Sequence, residues 1–225
     1  MPTKNNYINK HNIVQIQQYI YGYKNRNITL VAVTKTRTSD EIQQLLLQGI
    51  THIAENKIQE VQEKFSTIPQ NVEKHFIGRL QSNKIKKAVQ LCDVIQSVDS
   101  LRLAELINTE AQKQEKIQQI MIQINISNEK QKGGVCIDKV YHIFEQTSIL
   151  HNIKIIGIMC IAPDIKISGE QKVRNCFRAM SKIFNKLNLD YNAQLQHLSM
   201  GMSDDYTIAL EEGSNMIRIG RRLFE

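Results

Sequence analysis

The chain has no apolar run long enough to span a bilayer, and residues 1–6 are polar, without the apolar stretch that a secretory signal carries. We therefore expect a cytoplasmic protein with no membrane partner. Linkers rich in proline, glycine or serine and low-complexity tracts are also missing, and 225 residues fit one large α/β domain. The sequence thus predicts a single domain over residues 1–225.

Cysteine is scarce, and its spacing matches no metal or disulfide framework. Cys92, Cys136, Cys160 and Cys176 form no CxxC pair and stand among apolar neighbours. We expect reduced core cysteines and no metal site.

Acidic residues are outnumbered, 22 against 29 basic ones, which gives a net charge of +7. Such a charge attracts nucleic acid, an acidic membrane surface or a phosphorylated small molecule, and it does not choose among them. A compositional bias toward Asn, Ile and Lys is a simpler explanation. Because no basic motif is interleaved with aromatics, and Lys84, Lys86 and Lys87 are typical of a solvated helix face, we expect no nucleic-acid partner.

Short runs rich in β-branched residues alternate with segments of helical periodicity along the chain. The predicted strands are residues 28–33, 50–54, 74–77, 94–98, 119–126, 153–159, 196–200 and 216–219. The predicted helices are residues 41–48, 58–65, 85–91, 101–111, 140–150, 173–187 and 208–211, with another at 13–23 before the first strand. This alternation predicts a closed parallel (β/α)8 barrel of the TIM type with an extra N-terminal helix.

Two local signals support this assignment. An open doubly wound sheet, the competing architecture, usually carries a glycine-rich turn after its first strand, and residues 33–36 are not glycine-rich. Thr38 and Glu41 form a capping-box pattern at the first helix after that strand, and Gly49 lies where this helix should end.

Active sites of such barrels are built at the carboxyl ends of the strands. Lys35 ends the first predicted strand in an apolar context, and an apolar setting favours the free amine that carbonyl chemistry needs. A strand-end lysine whose head reaches solvent is the simpler alternative. Other candidates at this end are Asn56, Gly78, Asn125 and Met159. His75 lies at the start of its strand, and we expect a structural role for it.

An anion site is predicted from the last two strands. Small residues such as Gly201 let the backbone approach an anion, and Ser203 stands where a helix N-cap would offer its hydroxyl. Arg218 alternates with Ile217 and Ile219, so it faces the barrel interior or rim and needs an anionic partner. Taken singly, these residues also fit a turn, a cap, and an ion pair between Arg218 and one of the aspartates at 204–205.

A reactive lysine facing an anion cradle suits pyridoxal phosphate, which carries both an aldehyde and a phosphate. The chain also resembles the pyridoxal phosphate homeostasis protein family, whose fold is similar to the barrel domain of alanine racemase. The matching segments are AVTKT at 32–36, EN at 55–56, HFIG at 75–78, LQSNK at 80–84, QINIS at 123–127, GIM at 157–159, LSMGMSDD at 198–205 and RIG at 218–220. They extend over almost the whole sequence.

This resemblance implies roles for individual residues. Lys35 would be the Schiff-base lysine, and Asn56 would lie beside the cofactor ring. The residues implied to hold the phosphate and complete the cofactor site are Met200, Gly201, Ser203, Arg218 and Gly220. The chain departs from the family's usual pattern at Ala54, Arg37 and Arg221, where glycine, a second lysine and a small hydroxyl residue are usual. Arg221 must either join the phosphate or turn away from it.

The function that the resemblance implies is binding and supply of intracellular pyridoxal phosphate, without catalytic residues or robust turnover. Its partners would be the cofactor and apo-enzymes that receive it, and we expect a monomer. The alternative is a pyridoxal phosphate-dependent amino-acid racemase. Family racemases add a second β domain that supplies acid/base groups, whereas the predicted barrel accounts for all residues here, and an exposed cofactor suits exchange better than proton transfer.

Overall fold

Eight parallel strands close into a barrel in the computed structural model, which describes residues 8–129 and 132–225. The strands are β1 (Thr29–Val33), β2 (His52–Glu55), β3 (Glu73–Phe76), β4 (Val94–Val98), β5 (Gln118–Ile124), β6 (Ile153–Cys160), β7 (His197–Ser199) and β8 (Met216–Ile219). Each strand pairs with the next, and β8 pairs with β1. The predicted (β/α)8 barrel is confirmed, whereas its organisation as a single domain over 1–225 stays a prediction.

Helices surround the barrel and connect its strands. They are α1 (Lys10–Tyr21), α2 (Ser39–Leu46), α3 (Ile58–Lys64), α4 (Ile85–Leu91), α5 (Leu101–Lys113), α6 (Val140–Ser148), α7 (Ile165–Ser168), α8 (Glu170–Asp190), α9 (Tyr206–Glu211) and α10 (Arg221–Phe224). The extra N-terminal helix is α1. The sequence did not predict α7 and α10, because a single turn of helix carries too little periodicity to be recognised.

The capping box predicted for α2 is present. Thr38 Oγ1 accepts a hydrogen bond from the Glu41 backbone N–H, and a carboxylate oxygen of Glu41 accepts one from the Thr38 backbone N–H at 2.8 Å. Gly49, three residues beyond the end of the helix, has φ +80° and lets the chain turn toward β2. These local bonds fix where the chain leaves the loop that contains Lys35.

Apolar side chains form two layers, one inside the barrel and one between the barrel and its helices. The inner layer is made largely of Val31, Val33, Ala54, Val94, Met121, Ile156, Met159 and Met216. In the outer layer, α5 buries Leu103, Ala104, Ile107 and Ala111, which recur at helical spacing. Burial of one large apolar side chain stabilises the fold by about 1.5–3 kcal/mol, so this packing makes the strand ends a rigid base for a site.

The lysines of α4 are exposed as the sequence predicted, whereas one of the cysteines is not buried as expected. Lys86 and Lys87 are exposed on α4, as expected for a solvated helix face. Three cysteines are buried, as expected, but Cys136 is exposed. The expectation of a core cysteine is wrong at this position, because Cys136 lies in the loop before α6 rather than on a packed helix or strand. Within the described ranges, no helix has both the length and the apolar character needed to cross a membrane.

Candidate functional site at the carboxyl end of the barrel

Lys35 lies on the rim of the barrel, just beyond β1. Val31 and Val33 line the interior, and the side chain of Thr34 points away from it toward α3, so alternation places Lys35 over the barrel mouth. The side chain is exposed. The expected desolvated, apolar setting of Lys35 is therefore wrong: β1 ends at Val33, as the predicted range 28–33 has it, and Lys35 lies two residues beyond it on an exposed loop.

The backbone on either side of Lys35 is held by residues of α3. Lys64 Nζ donates a hydrogen bond to the Thr34 carbonyl oxygen at 3.0 Å, and Glu60 Oε2 accepts one from the Thr36 N–H at 2.7 Å. Thr36 has φ +63°, an unfavourable backbone conformation for a β-branched residue that this contact helps to maintain. The loop thus presents Lys35 in one fixed orientation.

Lys64 is itself the centre of a buried ionic cluster. Its ammonium lies 2.9 Å from Glu55 Oε1 and 2.7 Å from Glu60 Oε2, and Thr34 Oγ1 also donates to Glu55 Oε1 at 2.7 Å. Burial by itself lowers the pKa of Lys64, but its hydrogen bonds to Glu60 and Glu55 outweigh burial and leave the pKa above its usual value. The sequence analysis missed this cluster, although Glu60 and Lys64 show a helical i, i+4 charge spacing.

Asn56 offers an acceptor that lacks a partner. Its Oδ1 is buried and has no hydrogen-bond partner among the residues that the structure describes. The backbone of Gly78 packs so closely that a Cβ there would lie 1.9 Å from the Asn56 carbonyl oxygen. Only glycine fits at position 78, and its close approach keeps Asn56 in place at the end of β2. An unsatisfied buried acceptor beside a barrel mouth indicates room for a ligand donor.

The loop after β7 approaches the mouth through small residues. Gly201 has φ +97°, and a Cβ at this position would lie 2.6 Å from Ala209 Cβ. Met200 and Ser203 beside it are buried. The prediction that Ser203 caps the following helix is wrong, since the N-cap of α9 is Asp205, whose carboxylate accepts a hydrogen bond from the Met202 N–H at 2.6 Å and closes a turn before the helix.

Arg218 is a buried cation inside the barrel. It is 3% exposed, and its guanidinium donates to Ser199 Oγ at 2.6 Å and to the Cys160 carbonyl oxygen at 2.7 Å. Within residues 8–129 and 132–225, no carboxylate forms an ion pair with it, so the alternative of a pair with an aspartate at 204–205 is wrong. Burial lowers the pKa of Arg218, although a guanidinium remains charged in proteins.

Arg221 turns away from the interior. It is exposed and forms an ion pair with Asp204 at 2.5 Å. Gly220 separates it from β8 and is the N-cap residue of α10, with Val33 atoms 3.4 Å from where its Cβ would be. The candidate residues lie at the carboxyl ends of β1, β2, β7 and β8, as the sequence predicted. They are Lys35, Asn56, Gly201, Ser203, Arg218 and Gly220.

A polar chain continues from Arg218 toward the other end of the barrel. Ser199 Oγ donates to Gln96 Oε1 at 2.7 Å, and Gln96 Nε2 lies 3.0 Å from His75 Nδ1. His75 is fully buried on β3. The sequence analysis gave Ser199 and Gln96 no role of their own; for Gln96 the available signal was the pair of polar residues at 96–97 within the otherwise apolar strand β4.

Comparison with known proteins identifies the family. The family model described as alanine racemase, N-terminal domain, matches residues 9–225. The chain is 37% identical over 196 residues to the pyridoxal phosphate homeostasis protein of Aquifex aeolicus (strain VF5), covering 87% of this chain and 85% of that protein. The chain belongs to the pyridoxal phosphate homeostasis protein family. A further relative with this name, from Escherichia coli (strain K12), is 32% identical over 225 residues and is covered to 94% of its length.

Two solved structures of similar shape differ in how closely they match this chain. PipY of Synechococcus elongatus PCC7942 with PLP bound has a TM-score of 0.80 and 29% identity, covering 94% of this chain and 100% of PipY. An alanine racemase of Clostridium difficile 630 has a TM-score of 0.76 but 18% identity, and this chain covers 60% of it. The racemase shares the barrel fold with the homeostasis family, and its likeness reaches no further.

Proposed function

We propose that this chain binds pyridoxal 5'-phosphate at the carboxyl end of the barrel and maintains and supplies the cofactor inside the cell. The observation that carries the proposal is Arg218, a buried cation without a carboxylate partner in the described residues, on the same rim as Lys35. A bound anion would compensate its burial. The relatives' names and the PLP-bound structure of PipY support the identity of that anion.

The residues of the rim fit the proposed cofactor in three respects. The buried, unpartnered Oδ1 of Asn56 can accept from a ligand donor. Gly201 and Gly220 pack closely against Ala209 and Val33 and so hold the backbone at the rim where a phosphate would bind, with Ser203 and Met200 beside them. Arg218 supplies positive charge from below through guanidinium N–H groups that are not taken by Ser199 and Cys160.

Lys35 is proposed to supply the amine that holds the cofactor as a Schiff base. When bound, pyridoxal phosphate provides an aldehyde that condenses with a lysine in its free-amine form. The contacts from Lys64 and Glu60 keep the Lys35 backbone fixed over the mouth, and the exposure of the side chain leaves it accessible to solvent and to a cofactor that enters or leaves.

This accessibility favours handover of the cofactor over catalysis. Proton transfers at a bound substrate are efficient where water is excluded, whereas Lys35 is exposed. We therefore infer a cytoplasmic binding protein, acting as a monomer, that delivers the cofactor to apo-enzymes and has no robust turnover of its own. The racemase alternative is supported by the description of the matching family model and by a neighbour that is 18% identical, and both reflect the shared barrel fold.

The test combines loading, transfer and turnover. The purified chain is loaded with pyridoxal phosphate and mixed with an apo-aminotransferase, and the same loaded protein is assayed for racemisation and decarboxylation of a panel of amino acids. We expect stoichiometric loading, recovery of aminotransferase activity and no sustained turnover by the chain. Turnover at about 1 per second or faster, which is ordinary for enzymes, would contradict the binding-protein function. Failure to load would contradict the site itself.

A further inference from the structure

A cluster of two histidines and a glutamate lies in the amino-terminal half of the barrel, at the end away from Lys35. His52 begins β2, and Glu73 and His75 belong to β3. His52 is paired with Glu73 in the parallel ladder, and His75 follows two residues later on the same face. Three side chains with metal-binding atoms are therefore fixed on two neighbouring strands rather than on loops.

The distances among their ligand atoms match a metal site. His52 Nδ1 lies 3.3 Å from His75 Nε2 and 3.6 Å from Glu73 Oε1, and His75 Nε2 lies 3.1 Å from Glu73 Oε1. Zinc bonds of about 2.0–2.2 Å in a tetrahedron place neighbouring ligand atoms about 3.3–3.6 Å apart. The three atoms thus form one face of such a tetrahedron, and the fourth position is left for water.

Hydrogen bonding alone explains this cluster less well. Glu73 Oε1 can accept from both imidazoles, but the two donor N–H groups would then face each other across 3.3 Å. If His52 Nδ1 is instead unprotonated, the single N–H of His75 Nε2 must serve both His52 Nδ1 and Glu73 Oε1, and the lone pairs of these two acceptors then lie 3.6 Å apart with no hydrogen between them. A divalent cation satisfies all three atoms at once, because it binds the lone pairs of two neutral imidazoles and a carboxylate.

Gln96 is placed as an outer partner for such a site. Metal-bound histidines usually donate their other ring N–H to a neighbouring acceptor. Gln96 lies 3.0 Å from His75 Nδ1 through its amide nitrogen, and half a turn of that amide would present Oε1 instead. Ser199 can then receive N–H groups from both Gln96 and Arg218, since a hydroxyl oxygen has two acceptor lone pairs.

Solvent and ions can reach the cluster from outside. The side chains of His52 and Glu73 are 25% and 35% exposed, whereas that of His75 is fully buried. A cavity of about 350 Å³ borders His52 and is lined with polar groups of Gln17, Asn27 and Thr29. The cluster thus combines a buried anchor with an open approach.

We propose that His52, Glu73 and His75 bind one divalent transition-metal ion, with Zn²⁺ as the best match to their donor set. This site is separate from the cofactor site and was not predicted from the sequence, where only cysteine spacing was considered. His52 belongs to β2, whereas Glu73 and His75 belong to β3, and the pairing of these two strands brings the three side chains together.

The test uses the tag-free full chain, treated with a chelator and then dialysed. Calorimetric titration with Zn²⁺ should give one site with a Kd of about 10 µM or tighter, and Co²⁺ should give the visible absorption of a four-coordinate site that Zn²⁺ abolishes. His52→Ala and Glu73→Gln alter partly exposed residues and should each weaken Zn²⁺ binding about a hundredfold. His151→Ala, at an exposed histidine, should leave it unchanged.

Three results would overturn the proposal. They are Zn²⁺ binding by the unaltered chain weaker than about 10 µM, unchanged affinity in folded His52→Ala or Glu73→Gln, and equal loss in His151→Ala. Circular dichroism shows which variants are folded. If either His52→Ala or Glu73→Gln does not fold, the other variant decides the test. Pyridoxal phosphate loading is not part of the measurement, so a negative result leaves the proposed cofactor site untouched.

Discussion

Lys64 Nζ donates a hydrogen bond to the carbonyl oxygen of Thr34 at 3.0 Å, and this contact fixes the backbone one residue before Lys35. The same ammonium joins Glu55 and Glu60, and Glu60 binds the Thr36 N–H one residue after the lysine. A single cluster therefore brackets the proposed reactive residue from the side of α3.

Removal of the Lys64 ammonium should destabilise the fold. Lys64→Met keeps an unbranched side chain but leaves the fully buried Glu55 without its cationic partner. Breaking a buried ion pair in this way costs about 3–5 kcal/mol, and we expect a loss near the lower value because the Lys64 side chain remains 9% exposed. Urea unfolding measures the difference. Lys57→Met, at an exposed neighbour, is the control and should change stability by about 0.5 kcal/mol or less.

A loss of less than about 1 kcal/mol in Lys64→Met would contradict the importance of this cluster. Glu60→Gln offers a second comparison, because its amide oxygen can still accept from the Thr36 N–H while the charge is gone. It should cost less stability than Lys64→Met.

Arg218 should contribute more to cofactor affinity than Ser203. A guanidinium hydrogen bond to phosphate is worth about 1.5–3 kcal/mol, and a hydrogen bond from a neutral hydroxyl is worth about 1 kcal/mol. A loss of about 1.4 kcal/mol in binding free energy raises the dissociation constant about tenfold. We expect pyridoxal phosphate affinity to fall about tenfold to a hundredfold in Arg218→Ala and less than about tenfold in Ser203→Ala. Fluorescence or absorbance titration measures both.

The phosphate-free compound pyridoxal shows which part of the cofactor Arg218 contacts. If the guanidinium meets the phosphate, Arg218→Ala should leave pyridoxal binding nearly unchanged. An equal loss for both compounds would place Arg218 against the ring. Unaltered pyridoxal phosphate binding in a variant with native circular dichroism would remove Arg218 from the site altogether.

Arg221 should have little effect on the cofactor. It is exposed and paired with Asp204, so Arg221→Thr should change pyridoxal phosphate affinity by less than about threefold, or about 0.7 kcal/mol. Asp204→Asn removes the partner of Arg221 and serves as the matched comparison. A tenfold loss in Arg221→Thr would mean that Arg221 leaves Asp204 to join the phosphate when the cofactor binds.

The cysteines should differ sharply in reactivity. Burial raises the pKa of Cys160 to about 12 and also raises the pKa of Cys92, so both remain thiols at pH 8, whereas Cys136 is exposed. Brief treatment of the folded chain with iodoacetamide should label Cys136 first, as read by peptide mass mapping. The denatured chain, in which every cysteine reacts, is the control. Rapid labelling of Cys160 in the folded chain would show that the barrel opens near Arg218.

The barrel could be predicted from the sequence because its signals are local. Most of the strands are short runs rich in β-branched residues, and the ranges predicted for β4 and β8 agree with the structure. Arg218 could be directed inward from its alternation with Ile217 and Ile219, since period two is a property of the strand itself.

The rest of the site depends on contacts that local pattern does not encode. The exposure of Lys35 follows from the course of the loop after β1, which Glu60 and Lys64 hold from α3, and the role of Lys64 follows from its approach to Thr34 across 30 positions. Ser203 lies within a turn closed by Asp205 rather than at the N-cap of a helix, a distinction decided by one side-chain hydrogen bond. Ser199 and Gln96 meet only after the barrel has closed.

Identification of the lysine that holds the cofactor tests the proposed binding site most directly. The chain is loaded with pyridoxal phosphate, reduced with borohydride, digested and mapped by mass spectrometry, together with Lys35→Ala and, as a control for an exposed lysine near the rim, Lys57→Ala. We expect one modified peptide carrying Lys35, its absence in Lys35→Ala and normal modification in Lys57→Ala. Fixation of the cofactor on another lysine in the unaltered chain, or unchanged fixation in Lys35→Ala, would rule out Lys35 as the residue that holds the cofactor.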